Sequence, residues 1–458
     1  MTESSKNLFG LSSEHKKRLI DRMRQRQKAG STHDVRDKVN LDAFKKEIPR
    51  EYYNIDDLPG LKQLHIQATA AEKFEIQNPF FRCHSGVANN STSIDGRKFI
   101  NYSSYNYLGL NGHPRVSKAA KTAIDHYGTS ASASRPVSGE RPIHRELELA
   151  LADLHGTEDS IVYVSGHATN VSTIGSLFGK KDLILHDSLA HNSIIQGAIL
   201  SGAKRLTFPH NDFNSLNQML ENNRRQYERV LVITEGMYSM DGDIPDIPKF
   251  LEIKNRHKVF LMVDEAHSIG VIGEHGLGIT DHFQIDANEI DILMGTLSKS
   301  LAACGGYICG KHSLIENLKY TSPGFVYSVG MSPPVAAAAL AALQILKDEP
   351  ERVTKLQSNA RLFFELAKDA GLDTGYCQGY SVIPVILGSS LIAAKLSNIL
   401  YEQGINVQPI IYPAVEERAA RLRFFLSSTH TEEEIRSTVD IVSRELKALK
   451  KKPVYKFV

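Results

Sequence analysis

Short apolar runs alternate with longer amphipathic stretches along most of the chain after residue 105. Runs of about four to six residues that are rich in β-branched side chains are typical of strands buried on both faces. We therefore predict an α/β fold in which helices cover both faces of a mainly parallel, seven-stranded sheet. The predicted strands are Ser160–Val164, Asp182–His186, Arg205–Phe208, Val230–Thr234, Val259–Asp264, Ile292–Gly295 and Gly306–Cys309.

The pattern changes after Pro333, where an alanine-rich helix leads into a second region. Helices are predicted there at Glu349–Ala370 and Thr431–Lys450, and short strands near Val382–Leu387 and Arg421–Leu426. This mixture predicts a smaller α+β domain at the C-terminal end. The expected organisation is an N-terminal basic helical extension and linker over residues 1–60, an N-terminal arm and large domain over 61–345, and the small domain over 346–458.

The segment between Ser12 and Gly30 is strongly basic. Apolar residues recur there at helical spacing, which predicts a short basic amphipathic helix. Such a helix either packs on its own protein or docks an acidic partner, and the sequence leaves both open. The basic residues are Lys16, Lys17, Arg18, Arg22, Arg24, Arg26 and Lys28, against the acidic Glu14 and Asp21.

Composition excludes several classes of protein. The 458 residues include 54 basic and 52 acidic ones, a net charge of +2, so no chain-wide field attracts nucleic acid. No apolar run reaches the ~20 residues that a membrane span needs, and residues 1–11 lack the apolar core of a secretory signal. Without CxxC or zinc-finger spacing, the cysteines are expected to be reduced thiols in a cytoplasmic, reducing compartment, with no metal site. They are Cys83, Cys304, Cys309 and Cys377.

Chemically active residues follow several of the predicted strands. Lys299 comes just after Ile292–Gly295, and Asp264 ends its strand with His267 three residues on. Parallel sheets bind ligands outside the carboxyl ends of their strands, and burial there would lower the pKa of a lysine and favour a Schiff base. Pyridoxal phosphate also needs a carboxylate that keeps its pyridine nitrogen protonated, and the small-residue turn over 165–170 exposes backbone N–H groups to a phosphate. Taken singly, these signals also fit a loop lysine, a helix N-cap and an ordinary turn.

In combination and in order, the motifs resemble the α-oxoamine synthase family of pyridoxal-phosphate enzymes. This resemblance covers about residues 60–450 and implies fold-type I, the aspartate aminotransferase-like fold. It rests on SYNYLGL (104–110), SRPVSGERPIHRELE (134–148), LAHNS (189–193), EGMYSMDGD (235–243), VDEAHSIGVIGEHGLG (263–278), GTLSKSLAACGGYICG (295–310) and RLRFFLSSTHT (421–431).

The resemblance implies roles for individual residues. Lys299 would be the Schiff-base lysine and proton-transferring base, Asp264 the partner of the pyridine nitrogen and His267 the partner of the phenolic oxygen. His191 would stack on the cofactor ring. The resemblance also implies phosphate contacts for Gly166, His167 and Thr296, and a phosphate contact across a dimer interface for Ser328. It implies that Ser239 contacts the phenolic oxygen and that Asn106 and Arg423 bind the amino-acid carboxylate.

The activity that the resemblance implies is a decarboxylating Claisen condensation. An amino acid and an acyl thioester of coenzyme A or of an acyl carrier protein would give an α-amino ketone, CO₂ and free thiol in a homodimer with shared active sites. One alternative is an aminotransferase on the same fold. A non-catalytic partner subunit would lack the active-site lysine, whereas Lys299 is present, and the spacing of Gly273, Gly276 and Gly278 does not fit a dinucleotide fingerprint.

The chain departs from the family pattern in three places. Residues 128–135 are rich in Ser and Ala where many relatives have Gly, and such side chains would narrow a substrate channel. Ser298 and Ser300 flank the lysine where Gly and Ala are common. The N-terminal extension resembles segments of family members that are associated with polyketide or peptide synthase assembly lines.

Overall fold

The computed structural model describes residues 47–451, so the basic segment between Ser12 and Gly30 lies outside the described residues. The chain divides into two units, Met1–Glu75 and Ile76–Val458. The first contains short 3₁₀ turns at Arg50–Tyr52 and Ile55–Asp57, followed by helix α1 (Pro59–Lys73). All the remaining elements belong to the second unit.

The strands fall close to the predicted apolar runs. Each of the seven predicted core strands is present, with ends that differ from the prediction by at most a residue or so. The strands are β1 (His84–Ser85), β2 (Ser91–Ile94), β3 (Arg97–Asn101), β4 (Asp159–Tyr163), β5 (Leu183–Asp187), β6 (Lys204–Phe208), β7 (Val230–Glu235), β8 (Phe260–Asp264), β9 (Ile292–Thr296), β10 (Gly306–Gly310), β11 (Val382–Ile386), β12 (Ile405–Asn406), β13 (Pro409–Ile410) and β14 (Arg421–Phe425).

Helices separate most of these strands. After α1 they are α2 (Pro114–Tyr127), α3 (Pro142–His155), α4 (Gly166–Leu177), α5 (Asn192–Ser201), α6 (Phe213–Asn223), α7 (Ile247–His257), α8 (Ile279–Phe283), α9 (His312–Thr321), α10 (Pro323–Val326), α11 (Pro333–Asp348), α12 (Glu351–Asp369), α13 (Ser390–Glu402) and α14 (Glu432–Lys451). Among the described helices, none is both long and apolar enough to cross a membrane.

The central sheet has seven strands in the order β4-β10-β9-β8-β7-β5-β6. β10 runs antiparallel to both of its neighbours, and the other pairs are parallel. Because β4 and β9 both oppose β10, every strand except β10 ends at the same edge of the sheet. That edge collects the residues that follow the strands, which is where the sequence places its reactive groups.

Both faces of this sheet are buried, as the continuous apolar runs predict. Along β5, Leu183 and Leu185 pack into one hydrophobic cluster, whereas Ile184 between them packs into the other. The same alternation separates Val232 from Ile233 on β7. Successive side chains of a strand point to opposite faces, so β5 and β7 each contribute to two layers of core, whereas the edge strand β6 is mostly exposed.

A smaller sheet lies in the C-terminal region, in the strand order β11-β14-β13, and is antiparallel throughout. Helix α14 covers part of this region with apolar residues at helical spacing, including Ile435, Val439, Val442 and Leu446, all of which are buried. Acidic residues in its first turn and lysines in its last complement the helix dipole. The expected domain boundary after residue 345 falls within α11.

A third sheet joins distant parts of the second unit. β1, β2 and β3 form an antiparallel meander, and β12 pairs with β3 in parallel. This sheet ties the segment that precedes Asn106 to the C-terminal region.

Candidate active site

The polar residues at the carboxyl edge of the sheet come from neighbouring strands. Glu235 at the end of β7 pairs in register with Asp264 at the end of β8, and Asp264 pairs in turn with Met294 on β9. Thr296 ends β9, and Lys299 follows in the turn towards β10. The sheet therefore brings Asp264 and Lys299 together although 35 residues separate them in sequence (299 − 264 = 35).

Lys299 is a partly buried amine with an altered proton affinity. Desolvation lowers the pKa of Lys299 to about 8, although Asp264 and Glu235 act in the opposite direction. Arg423 adds to the lowering because it is a second positive charge nearby. Within the described residues, the Lys299 ammonium has no carboxylate within 4.0 Å. The amine is therefore close to deprotonation near neutral pH, which suits a nucleophile or base.

Asp264 is held by fixed donors. It is 3% exposed, and its Oδ2 accepts a hydrogen bond of 2.7 Å from Nδ2 of Asn170, while Oδ1 accepts one of 3.0 Å from the Ala266 N–H. The Asn170 amide also donates to Ser193 Oγ at 2.9 Å. One buried asparagine on α4 therefore orients both Asp264 and the residue that contacts His191.

His191 has a defined tautomer. It caps the N-terminus of α5, where its Nδ1 lies 2.7 Å from Ser193 Oγ and 3.3 Å from the Ser193 N–H. Because Ser193 Oγ already accepts from Asn170, its hydroxyl is free to donate to Nδ1. Nδ1 is then the acceptor, and Nε2 carries the ring proton. Desolvation lowers the pKa of His191. Asp264 raises it and the charge of Lys299 lowers it further, and the net result is a ring that is neutral at pH 7.

His267 is buried beside Tyr107. Its Nδ1 lies 2.8 Å from the Tyr107 hydroxyl. Desolvation lowers the pKa of His267 well below its ordinary value, and burial raises that of Tyr107, so both groups are neutral. With the phenol as donor, Nε2 of His267 carries the proton and is available to a ligand.

Glu235 and Asn170 were not singled out from the sequence. The Glu235 carboxylate accepts a hydrogen bond of 2.6 Å from the His191 N–H. Burial raises the pKa of Glu235 well above its ordinary value, and the neighbouring Asp264 reinforces the shift. Glu235 begins the quoted EGMYSMDGD motif and Asn170 ends the small-residue turn over 165–170, and Glu235 directly follows an apolar run as Asp264 does. The rule that identified Asp264 would therefore have found Glu235.

The N-terminus of α4 forms an anion cradle. Ser165 caps the helix through the Ala168 N–H, while the N–H groups of Gly166 and His167 have no acceptor within the described residues. A Cβ on Gly166 would lie 2.8 Å from Thr296 Oγ1, so only glycine permits this approach to β9. Backbone N–H groups at a helix N-terminus favour a phosphate.

Two adjoining cavities meet at Lys299. The first, of about 180 Å³, is lined by predicted cofactor residues, namely Gly166, His167, His191, Asp264, His267, Thr296 and Lys299, and also by Asn170, Ser193 and Glu235. The second, of about 460 Å³, contains Tyr105, Asn106, Gln408 and several serines. Ser298 and Lys299 line both cavities. Lys299 therefore faces two pockets, a smaller one that contains the Asp264 carboxylate and a larger one that contains Asn106.

The two residues predicted to bind a substrate carboxylate differ in their surroundings. Asn106 lines the larger cavity and is fixed by its own amide, which donates to the Ala88 carbonyl and accepts from the Asn111 N–H. Arg423 lines neither cavity. Its Nη1 donates to the Ser239 carbonyl at 2.9 Å, and its guanidinium lies 4.6 Å from the Phe425 ring centre. Its Nε is buried with no partner in the described part of the chain.

Ser239 and Ser328 do not line the two cavities of this single chain. The backbone carbonyl of Ser239 accepts from Arg423, and the Ser328 hydroxyl donates to the Val329 carbonyl at 3.3 Å. The predicted role of Ser328 lies across a dimer interface and so requires a second chain.

The first cavity fits pyridoxal phosphate. The free N–H groups of Gly166 and His167 suit its phosphate, the Asp264 carboxylate suits a protonated pyridine nitrogen, and the Lys299 amine suits its aldehyde carbon. Asn170 Oδ1 is a further buried acceptor without a partner in the described residues.

Residues 97–442 match the family described as aminotransferase class I and II. The chain is 41% identical over 350 residues to an 8-amino-7-oxononanoate synthase of Fervidobacterium nodosum, which covers 76% of this chain and 88% of that protein. It is 38% identical over 381 residues to the synthase of the same name from Symbiobacterium thermophilum, with coverage of 83% and 94%.

Solved structures agree in fold. A Sphingomonas wittichii serine palmitoyltransferase superposes with a TM-score of 0.82 at 29% identity, covering 86% of this chain and 99% of that one. A serine palmitoyltransferase from S. paucimobilis, solved with a bound PLP–myriocin aldimine, gives 0.82 at 27% identity with the same coverage. The expected fold-type I architecture is thereby confirmed.

Proposed function

Because the chain belongs to the aminotransferase class I and II family and, within it, to the α-oxoamine synthases, we propose that it condenses an amino acid with an acyl thioester. The products are an α-amino ketone, CO₂ and a free thiol, and the cofactor is pyridoxal phosphate. One observation carries this proposal in the structure: Lys299 lines both the cavity with Asp264 and the adjoining cavity with Asn106. A single amine can therefore serve both the cofactor pocket and the substrate pocket.

When bound, pyridoxal phosphate supplies an electron-accepting ring that stabilises negative charge on the α-carbon of the amino acid. The residues that would hold it in this chain are Gly166, His167 and Thr296 at the phosphate, Asp264 at the ring nitrogen, His267 at the phenolic oxygen, His191 at the ring face and Lys299 at the aldehyde carbon.

Lys299 moves the proton. With a pKa of about 8, roughly a tenth of its amine is neutral at pH 7, which is enough to accept the α-proton of the amino acid. The protonated amine then returns a proton to the product after CO₂ leaves. Its position in the lining of both cavities supports both transfers by one amine.

The carboxylate and the two histidines hold the site in one protonation state. Asn170 and the Ala266 N–H fix the Asp264 carboxylate, so its negative charge stays where a protonated ring nitrogen would need it. His191 and His267 are neutral and present Nε2–H as donors, because their Nδ1 atoms are engaged by Ser193 and Tyr107. Neither ring therefore adds a positive charge that would compete with Lys299.

The carboxylate of the amino acid requires a cation and a donor. Arg423 is the proposed cation, and it keeps its charge even though burial lowers its pKa. Its buried Nε has no partner in the described residues. The guanidinium stacks over Phe425, which packs edge-to-face on Tyr105 in the larger cavity. Asn106 lies in that cavity as the second recognition group.

The functional unit in this proposal is a homodimer, with Ser328 contacting the phosphate of the neighbouring site. Exposed apolar residues beside Ser328 support it, because Tyr327 and Val329 are 86% and 50% exposed in the single chain. A cytoplasmic, reducing location is supported by four cysteines without disulfide partners in the described chain. The acyl carrier proposed is either coenzyme A or an acyl carrier protein.

Incubation with a panel of amino acids and acyl thioesters, followed by mass spectrometry, tests the proposal. We expect an α-amino ketone, one CO₂ and one free thiol per turnover. Formation of an α-keto acid without a thioester would instead identify an aminotransferase. A Lys299→Ala variant serves as the control for uncatalysed product.

A further inference from the structure

His210 lies just outside the cofactor pocket, between two buried carboxylates. It follows β6, and its Nδ1 is 2.9 Å from Asp187 Oδ1 while its Nε2 is 2.8 Å from Asp243 Oδ2. Asp187 and Asp243 are both almost completely buried. Tyr238 packs edge-to-face on the imidazole with ring centres 4.5 Å apart, and the Tyr376 ring centre lies 5.8 Å away.

This geometry favours a doubly protonated ring. Ionised carboxylates only accept hydrogen bonds, so an imidazolium satisfies both of them by donating from Nδ1 and Nε2, and the Asn211 amide lies 3.3 Å from Nε2. The two carboxylates accordingly raise the pKa of His210 to about 10 against its desolvation. His210 thus joins the segment that ends in Asp187 to the segment that contains Asp243. Asn211 supports the same bridge, because its backbone N–H donates to Asp187 Oδ2 at 2.9 Å and its side-chain amide donates to Asp243 Oδ2 at 3.0 Å.

The Asp187 side of the bridge leads to His191. Asp187 ends β5, and its Oδ1 also accepts a hydrogen bond of 2.8 Å from the Leu189 N–H. The Ala190 N–H bonds to the Asp187 carbonyl in the same turn. This turn delivers the chain directly to His191, the residue that caps α5 beside the cofactor pocket.

The Asp243 side leads to Arg423. Asp243 closes a loop over residues 238–243 through hydrogen bonds between Tyr238 and Asp243 and between Gly242 and Tyr238. The Ser239 carbonyl in this loop accepts from Arg423. Asp241 in the same loop forms an ion pair of 2.6 Å with Arg421 on β14, two residues before Arg423. The loop over residues 238–243 therefore holds the Arg423 guanidinium in place.

We propose that His210 is a positioning residue. Its hydrogen bond to Asp187 fixes the turn that leads to His191, and its hydrogen bond to Asp243 fixes the loop over residues 238–243 that holds Arg423. Ring contact by His191 and carboxylate recognition by Arg423 would then both depend on His210, a side chain that touches neither cofactor nor substrate, with Asn211 supporting the same two carboxylates. This inference rests on the proposed function, because the proposed roles of His191 and Arg423 give the bridge its purpose.

Two amide variants separate the two sides of the bridge. The amide nitrogen of Asn can take the place of Nδ1, and that of Gln the place of Nε2. His210→Asn therefore retains the bond to Asp187 and loses the one to Asp243, whereas His210→Gln does the reverse. His155→Gln is the matched control, because His155 is a buried histidine that bonds to the Tyr307 hydroxyl and lines neither cavity.

Each purified holoenzyme is titrated with amino acid in the absence of thioester, and the cofactor absorption gives the dissociation constant. We expect His210→Asn to raise this constant by about tenfold while the spectrum of the unliganded enzyme stays unchanged. We expect His210→Gln to shift that spectrum and lower kcat, with the dissociation constant within about twofold of the wild type. The control should lower the thermal midpoint without either effect.

If both variants change the dissociation constant and the spectrum equally, or if neither changes them, the inference is overturned. A histidine with only a structural role would not separate the bond to Asp187 from the bond to Asp243. The inference would also be overturned if His210→Asn shifted the spectrum and His210→Gln weakened amino-acid binding. If the wild-type chain forms no condensation product with any thioester, the proposed function fails, yet the spectral titration still decides the role of His210.

Discussion

Replacement of Asp264 by Asn tests the electrostatic core of the site. The Asp264 carboxylate accepts two hydrogen bonds, from Asn170 and from the Ala266 N–H, in a position that is 3% exposed. Asparagine offers one acceptor oxygen, so one of these donors loses its partner. An unpaired buried donor costs about 1–3 kcal/mol, and we expect the free energy of unfolding to fall by that amount.

The effect on turnover should be larger and separable. Without the carboxylate, the ring nitrogen loses its negative partner, and removal of a preorganised charge-stabilising group typically costs about 10²–10³-fold in kcat. The pKa of Lys299 should also fall below its value of about 8, because Asp264 is the strongest influence that raises it. Steady-state kinetics and thermal unfolding of the same preparations measure both effects.

A matched control is Asp182→Asn. Asp182 is also fully buried and accepts from the Gly179 N–H and from Arg229, but it precedes β5 at the opposite edge of the sheet. We expect it to lower stability while leaving kcat unchanged. A kcat for Asp264→Asn within about threefold of the wild type would refute the electrostatic reasoning, as would an equal loss in the control.

Four further outcomes follow from the site. In enzyme freed of cofactor, labelling of the Lys299 amine should rise with pH with a midpoint near 8, as peptide mass spectrometry would measure; a midpoint near 10 would contradict its desolvation. Gly166→Ala should weaken cofactor affinity by about tenfold through contact with β9, whereas Gly179→Ala, whose Cβ meets nothing within 4 Å, should bind cofactor normally in a fluorescence titration. If Ser328 serves the neighbouring site, then inactive Ser328→Asp and Lys299→Ala chains, once mixed, should recover about a quarter of wild-type activity, and no recovery would argue against shared sites. Deletion of residues 1–30, whose basic helix is predicted from sequence alone, should raise KM for an acyl-carrier-protein thioester and not for an acyl-CoA, and equal changes for both would exclude a docking role.

The core of the fold was predictable because its signal is local. Most strands of the central sheet are apolar runs bounded by polar residues, although the edge strand β6 is largely polar and exposed. The observed Val230–Glu235 and Ile292–Thr296 differ from the predictions only at their last residue. The meander β1–β3 and the short strands β12 and β13 were not predicted. Their residues are mostly polar or half-exposed, so they lack the local apolar pattern of a strand. They form strands because they pair with segments distant in sequence, as Ile405 pairs with Ile100.

The site was predictable to a similar depth. Residues placed by their own strand, such as Asp264, Thr296 and Lys299, lie together as the sequence predicts, although their chemical roles stay predictions. The surrounding contacts could not be read from the sequence. Tyr107 meets His267 across 160 residues, and Asn170 meets Asp264 across 94, because the sheet and the N-terminal segment converge there. Sequence spacing carries no information about such pairs.

Strand β14 places two arginines on the same face, and their surroundings differ in a way that bears on how enzymes of this kind diversify. Arg421 is bound to Asp241, to the Met240 carbonyl and to the Ala419 carbonyl, so its replacement would break the contact between β14 and the loop over residues 238–243. Arg423, two positions along, keeps an uncommitted nitrogen. Under the proposed role of Arg423 in binding the substrate carboxylate, selection or engineering can vary Arg423 to change which substrates are accepted while Arg421 preserves the scaffold. Substrate choice and stability would then be set by separate residues of one strand.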